Sequence, residues 1–126
     1  MTWRTLLLDD DPIMRMLMRR GLEAEGSFSV VAEAGDPTRA RQRIVETRPD
    51  CVVTDLHLRE GPAPAWLPGL REAAPEARFF IVTGTDRPED TPGFAGLGRV
   101  LVFTKDEGPR RIAEGIREAM GKRLLA

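Results

Sequence analysis

Four short apolar runs in this chain each lead into side chains that could take part in chemistry. They run into Asp9 and Asp10, into Asp55, into Thr83 and into Lys105. Short apolar runs rich in β-branched residues predict buried strands, and the carboxyl ends of parallel strands meet at one edge of a sheet. We therefore expect the carboxylates, the hydroxyl and the amine to converge.

The chemistry that this set predicts is metal-assisted phosphoryl transfer. Three carboxylates in one pocket repel one another, and a divalent cation would offset the repulsion. Oxygen ligands favour Mg²⁺. The chain has a single histidine, His57, and a single cysteine, Cys51, which are too few for a Cys/His zinc site. Asp55 beside Mg²⁺ could act as a nucleophile toward a phosphoryl group. Lys105, one of only two lysines, would place a positive charge on a phosphoryl oxygen, and Thr83 would donate its hydroxyl.

Strands and helices alternate along the chain and would position these residues. Strands are predicted at 3–8, 28–33, 51–55, 79–82 and 100–103. Helices are predicted at 12–25, 37–47, about 66–74 and from 109 onward, with Asp-Pro pairs at the first two starts. We predict an α/β fold: a single doubly wound (βα)5 parallel sheet, flavodoxin-like strand order 2-1-3-4-5, helices on both faces.

The apolar spacing also predicts which helical residues face the core. On the first helix these are Ile13, Met14, Leu17, Met18 and Gly21. On the second helix they are Ala40, Ile44 and Val45. The fourth helix should be irregular, because residues 84–98 contain two Pro and four Gly.

Bulk properties predict one domain, residues 1–126, in the cytoplasm. The formal net charge of −1 gives no reason to expect direct nucleic-acid binding or attraction to an anionic membrane. No apolar run approaches the roughly 20 residues that cross a bilayer, and the first residues lack a signal-peptide pattern. The single cysteine excludes an internal disulfide and fits a reducing compartment.

Four motifs lie at the ends of predicted strands. They are LLLDDDP at 6–12, VVTDL at 52–56, FIVTG at 80–84 and VFTKD at 102–106. Together they resemble the receiver domain of two-component response regulators, and the resemblance covers essentially the whole chain. The stretch VVAEAGD at 30–36 is similar to receivers that precede a helix-turn-helix output domain.

The resemblance implies a role for each site residue. Asp55 is the phosphoacceptor, and Mg²⁺ is held by Asp9, Asp10, Asp55 and the backbone carbonyl of His57. Lys105 contacts the phosphoryl group and Thr83 responds to it. The side chain of His57, with Gly84 and Thr85, would modulate the reaction.

The resemblance also implies partners. A histidine kinase or a phosphotransfer protein would supply the phosphoryl group from a phosphohistidine. The chain would not be a conventional enzyme, because it catalyses only its own phosphorylation and dephosphorylation. An output domain, another protein or a second copy of the chain are the downstream partners left open.

The chain departs from the family pattern in several places. Arg59 stands where a proline is usual, and Asp106 follows Lys105 in place of another proline. The aromatic switch position is Val102, and Phe103, one residue on, should face the other side of the sheet. With the irregular fourth helix, this suggests signalling by an order–disorder change of residues 86–98.

Two other functions remain open on the sequence. Asp9-x-Asp11, the IVTG motif at 81–84 and Lys105 imitate a phosphatase of the haloacid dehalogenase type, although Asp55 would then have no role. The altered switch region also fits a receiver-shaped interaction module that works without phosphorylation.

Overall fold

The computed structural model describes residues 2–125 of the chain, with side chains for residues 2–121. Its main sheet contains five strands: β1 (Trp3–Leu8), β2 (Phe28–Ala34), β3 (Cys51–Thr54), β4 (Arg78–Thr83) and β5 (Leu101–Thr104). All pairings are parallel, and the order is β2-β1-β3-β4-β5. The predicted order 2-1-3-4-5 is confirmed. Met1 and Ala126, which the predicted domain 1–126 includes, lie outside the described residues.

Helices cover both faces of the sheet, as predicted. Helices α2 (Pro37–Thr47) and α3 (Leu67–Ala73) pack on one face, and α1 (Pro12–Glu25) and α4 (Pro109–Leu125) pack on the other. A hydrophobic core lies on each face of the sheet, and side chains alternate between the two along β1. Leu6 and Leu8 pack in the core under α2 and α3, and Leu7 packs in the core under α1 and α4. In the part of the chain that is described, no helix is both long and apolar enough to cross a membrane.

The first two helices begin at the predicted caps. The Asp11 carboxylate accepts the amide of Ile13 at 2.9 Å, and the Asp36 carboxylate accepts the amide of Arg39 at 2.8 Å. Each cap satisfies one of the amides that have no partner within the first helical turn. Each helix therefore begins within a few residues of the end of the preceding strand, α1 after β1 and α2 after β2.

Three predicted core residues are in fact exposed. Ile13 is 62% exposed and Leu17 is 37% exposed, whereas Met18, Gly21 and Leu22 form the buried stripe of α1. On α2, Ala40 and Ile44 are buried but Val45 is 64% exposed. The prediction failed because α1 is apolar around most of its circumference, and because residue 45 lies about 100° around the helix from Ile44.

The connection between β4 and β5 contains no α-helix. Two short 3-10 turns, Pro88–Asp90 and Phe94–Leu97, stand where the fourth helix of a (βα)5 pattern would lie. Prolines and glycines limit continuous helical hydrogen bonding, which is why the segment closes only local turns. The prediction of an irregular fourth helix is confirmed, and the segment contains short 3-10 turns in place of that helix.

The connection after β3 contains a small hairpin that the sequence did not predict. Residues His57–Leu58 pair antiparallel with Gly61–Pro62, and Arg59 and Glu60 form the turn. A 3-10 turn, Ala63–Ala65, then leads to α3. Leu56, Leu58 and Ala63 are buried in the α2–α3 core, so the hairpin is anchored although its tip is exposed.

Candidate functional site

The pairing of β1 and β3 brings the carboxylates of Asp9 and Asp55 together. The amide of Asp55 donates to the carbonyl of Leu8 at 3.0 Å, directly before Asp9. The amide of Asp9 donates in turn to the carbonyl of Ala34 at 3.1 Å. Asp55 and Asp9 therefore lie beside each other at the carboxyl edge of the sheet, where open α/β sheets bind ligands.

Lys105 reaches this pair from β5, two strands away from β3. Its Nζ lies 2.8 Å from Asp55 Oδ2 and 3.6 Å from Asp9 Oδ2. Its stem passes close to Gly84, where an added Cβ would lie 3.8 Å from Lys105 Cδ. One ammonium group thus links two carboxylates that come from separate strands.

The electrostatics of the three groups are coupled. Burial raises the pKa of Asp9, and the charges of Asp55 and Asp10 raise it further, against the opposing effects of the Asp11 amide and Lys105. Burial lowers the pKa of Lys105, but its hydrogen bond to Asp55 and the charges of Asp55 and Asp9 outweigh that and raise it overall. Lys105 is therefore a cation at neutral pH.

The hairpin supplies two backbone donors to the site. The amide of His57 donates to Asp55 Oδ1 at 3.3 Å, and the amide of Arg59 donates to Asp10 Oδ2 at 3.1 Å. The two carboxylates are thus connected through one short piece of backbone. The imidazole of His57 is exposed, and its role in modulating the reaction stays a prediction.

Thr83 ends β4 with a buried side chain, and its hydroxyl accepts the amide of Thr85 at 3.1 Å. Gly84 is exposed and Thr85 is partly exposed, so the rim of the site at this strand is open. The structure places Thr83 at the predicted edge. Its response to a phosphoryl group stays a prediction.

The two candidate switch residues lie on opposite sides of the sheet. Val102 packs against the α2–α3 core, whereas Phe103 packs against the α1–α4 core. The Phe103 ring lies 6.5 Å from the ring of Phe80, and a Cβ on Gly115 would come within 2.5 Å of it. Phe103 therefore fills space under α4, a structural contact that the sequence did not identify.

The donor chemistry of the site fits Mg²⁺. Asp9, Asp10 and Asp55 offer only oxygen atoms, which this cation prefers, and a bound cation would oppose the burial and the neighbouring carboxylate charges that raise the pKa of Asp9. Across residues 2–121, no three His, Cys, Asp or Glu side chains already form a metal-binding group. The Lys105 ammonium contacts two of the carboxylates, and its single positive charge balances only one of their two negative charges.

One residue that supports the site, Arg15, was not predicted from the sequence. Arg15 Nη1 donates to the backbone carbonyl of Asp9 at 2.5 Å, and its Nε lies 3.4 Å from Glu33 Oε1, an ion pair without hydrogen-bond geometry. Arg15 thereby holds the end of β1 from the side of α1. Its position one helical turn after the Asp11 cap was the available signal, but 17 arginines made it indistinct.

Comparison with known proteins identifies a family for this chain. Residues 5–117 match the family profile described as response regulator receiver domain. A nitrate/nitrite response regulator protein homolog from Haemophilus influenzae is 30% identical over 98% of this chain, and NarP, a nitrate/nitrite response regulator protein from Escherichia coli, is 30% identical over 98%. The chain spans 60% and 58% of the lengths of these two relatives.

Solved structures lead to the same family. A LuxR-family two-component response regulator from Aurantimonas superimposes with a TM-score of 0.84 at 30% identity, covering 97% of this chain and 87% of that one. A CheY-like receiver domain protein from Methanospirillum hungatei has a TM-score of 0.83 at 22% identity, covering 99% and 98%, and supports the fold. This chain belongs to the response regulator receiver domain family.

Proposed function

We propose that this domain accepts a phosphoryl group on Asp55 from the phosphohistidine of a histidine kinase or a phosphotransfer protein. The observation that carries the proposal is the contact of Lys105 Nζ with Asp55 Oδ2 at 2.8 Å, beside the buried Asp9. A carboxylate held against a fixed cation at the ligand-binding edge of the sheet is suited to receive a group that brings negative charge.

The transfer would form one bond and break one. An oxygen of Asp55 attacks phosphorus, the phosphorus–nitrogen bond of the donor breaks, and its electron pair stays on the imidazole. Lys105 would move from the carboxylate toward a phosphoryl oxygen, and the hydroxyl of Thr83 would donate to another. Asp9, Asp10, Asp55 and the carbonyl of His57 would hold Mg²⁺, which supplies positive charge to the phosphoryl oxygens.

Release of the signal would be hydrolysis of the acyl phosphate by water. The backbone amide of His57 contacts Asp55 and its side chain is exposed, so we propose that the imidazole affects access of this water, with Gly84 and Thr85 forming the opposite rim. We further propose that residues 1–126 act as one receiver domain in the cytoplasm. A downstream output domain, a separate protein or a homodimer would receive the signal.

The direct test is intact-mass measurement after incubation with acetyl phosphate. We expect an adduct of one phosphoryl group in the presence of Mg²⁺, no adduct in EDTA, and none in Asp55→Asn. Asp106→Asn is a matched control, because it removes an exposed carboxylate next to Lys105 and should leave labelling intact. An adduct that persists in Asp55→Asn would contradict the proposed acceptor.

A phosphorylation-independent interaction module is the second candidate. The observation that favours it is that Phe103 is packed under α4, on the side of the sheet away from Val102, so the usual aromatic coupling to Thr83 has no counterpart at residue 102. This candidate predicts no adduct from acetyl phosphate or a phosphorylated kinase, and amide spectra that beryllofluoride leaves unchanged.

The haloacid dehalogenase alternative receives no support from the site. It needs Asp11 as a second reacting carboxylate, but the exposed Asp11 caps α1 through the amide of Ile13. Asp55, which it leaves without a role, is the residue that Lys105 contacts.

A further inference from the structure

The two amides that reach the site from the hairpin are alternate residues of an extended backbone. His57 and Arg59 are separated by Leu58, and alternate residues of a strand direct their backbone groups to the same side. The His57 amide contacts Asp55, the residue that is proposed to be phosphorylated. The Arg59 amide contacts Asp10, which follows β1 and is a proposed ligand of Mg²⁺.

Only a residue other than proline can make the second contact. The family pattern described above has proline at position 59, and proline has no backbone N–H. Here Arg59 provides one, and its own side chain is exposed, so no packing need accounts for the arginine. A proline at position 59 could not donate this hydrogen bond to Asp10.

The donor is held firmly in place. Leu58 is buried, the amide of Ala63 donates to the carbonyl of Leu56 at 2.8 Å, and the indole of Trp66 donates to the carbonyl of Gly61 at 2.9 Å. These contacts hold both strands of the hairpin and its exit, on either side of the exposed turn. The Arg59 amide can thus restrain the half-buried Asp10 side chain without itself having to be ordered.

We propose that the backbone amide of Arg59 is a positioning group that orients the Asp10 carboxylate for Mg²⁺, which rests on the proposed function. The bond uses Oδ2 and leaves Oδ1 free for the cation, since a carboxylate has about four lone-pair sites. Metal-ligating carboxylates are commonly held by such outer hydrogen bonds, and loss of one lowers metal affinity by roughly 10- to 100-fold.

The test compares Arg59→Pro with Arg59→Ala in the phosphate-free protein. Both remove the guanidinium, but only Arg59→Pro removes the N–H. Residue 59 is the second residue of the turn that joins Leu58 to Gly61, a position where proline is favoured, and Leu58 is already extended as a residue before proline requires. The hairpin should therefore tolerate the substitution.

The readout is Mg²⁺ affinity from the backbone amide shifts of residues near the site, measured by nuclear magnetic resonance. We expect Arg59→Pro to bind Mg²⁺ about 10-fold more weakly than Arg59→Ala, and Arg59→Ala to stay within about 3-fold of the parent. Replacing the amide at position 59 of Arg59→Ala by an ester removes the N–H without a proline ring, and should reproduce the loss.

Two outcomes separate this proposal from the proposed function. Equal Mg²⁺ affinities for the ester and for Arg59→Ala, with Asp55 still labelled, would overturn the positioning role and leave phosphorylation standing. A parent protein that binds no Mg²⁺ would overturn both. A second readout needs no metal: Asp10→Ala should speed solvent exchange of the Arg59 amide several-fold, and an unchanged rate would contradict the contact.

Discussion

The two connections that leave the site differ in what holds them, although both are rich in Pro and Gly. The hairpin segment, residues 56–66, is bound to the acidic residues by two backbone amides and to the core by Leu56, Leu58 and Ala63. The outer segment, residues 84–100, closes mainly short-range turns on itself, and its buried side chains are Thr91 and Leu97. Its tie to the rest of the fold includes Arg71, which donates to the carbonyls of Leu97 and Arg99.

Similar composition therefore does not give the two segments similar attachment to the rest of the fold. The hairpin segment is hydrogen-bonded to carboxylates of the site, whereas the outer segment is held by the buried Leu97, by the contact of Gly93 with Pro64 and by the Arg71 side chain. A change of charge at Asp55 or Asp10 would therefore act on the hairpin segment first. The outer segment would respond through the place where the two meet, Pro64 against Gly93.

The largest effect is expected where the two segments touch. Gly93 has φ +83°, and an added Cβ would lie 3.0 Å from Pro64 Cβ. Gly93→Ala should cost about 2 kcal/mol of unfolding free energy, from a left-handed backbone and from the clash with a rigid ring. Urea denaturation would measure it, and amide exchange of residues 57–66 should also rise.

Gly26→Ala is the matched control for this prediction. Gly26 has a similar left-handed backbone, φ +97°, but an added Cβ would meet nothing within 4 Å. It should therefore cost only about 1 kcal/mol, the backbone part of the penalty. Equal costs for the two variants would show that the segments do not support each other.

A smaller effect is expected from Arg71→Ala. The substitution removes two hydrogen bonds to the outer segment, one of them long at 3.4 Å, and should cost about 1 kcal/mol. Hydrogen–deuterium exchange should rise in residues 94–100 and stay unchanged in residues 57–62. Arg99→Ala removes an equal charge but keeps the carbonyl that Arg71 contacts, so the same increase in that variant would argue against the tether.

The smallest effect on stability is expected from Asp9→Asn, in the site that both segments border. Unlike the variants above, it should raise the stability of the fold. Since the pKa of Asp9 is raised in the fold, the stability that this carboxyl contributes is present below its unfolded pKa of 3.8 and is lost as pH rises through the folded pKa. Asp9→Asn should therefore unfold at a slightly higher urea concentration than the parent at pH 7.5. The gain should shrink at pH 4, and a loss of stability at pH 7.5 would mean that the ion pair with Lys105 outweighs burial.

These results also bear on the proposed order–disorder change of residues 86–98. This segment is folded into turns and is held by Arg71 and by the contact at Gly93. Its exchange rates with and without beryllofluoride would test the hypothesis directly. Unchanged rates in the parent would leave the hairpin segment as the part that signals.

Much of the site could be predicted from the sequence because strand ends carry a local signature. An apolar run followed by Asp55 or Lys105 places each residue at the carboxyl edge whatever the details of packing, and the two Asp-Pro pairs marked the starts of α1 and α2. The same reasoning failed for Ile13, Leu17 and Val45. Helical spacing alone cannot choose between two apolar faces when the neighbouring helix is unknown.

By itself the sequence determined which edge these groups share: alternating strands and helices make the sheet parallel, and Asp9, Asp55, Thr83 and Lys105 all lie at or just beyond the carboxyl ends of its strands. Only the tertiary structure decided how they are held. The Arg59 amide on Asp10 has no signature in a residue type, since every residue but proline has this donor. The reach of Arg71 depends on the final spacing of the elements, because a long flexible side chain acquires a partner only after packing fixes both ends.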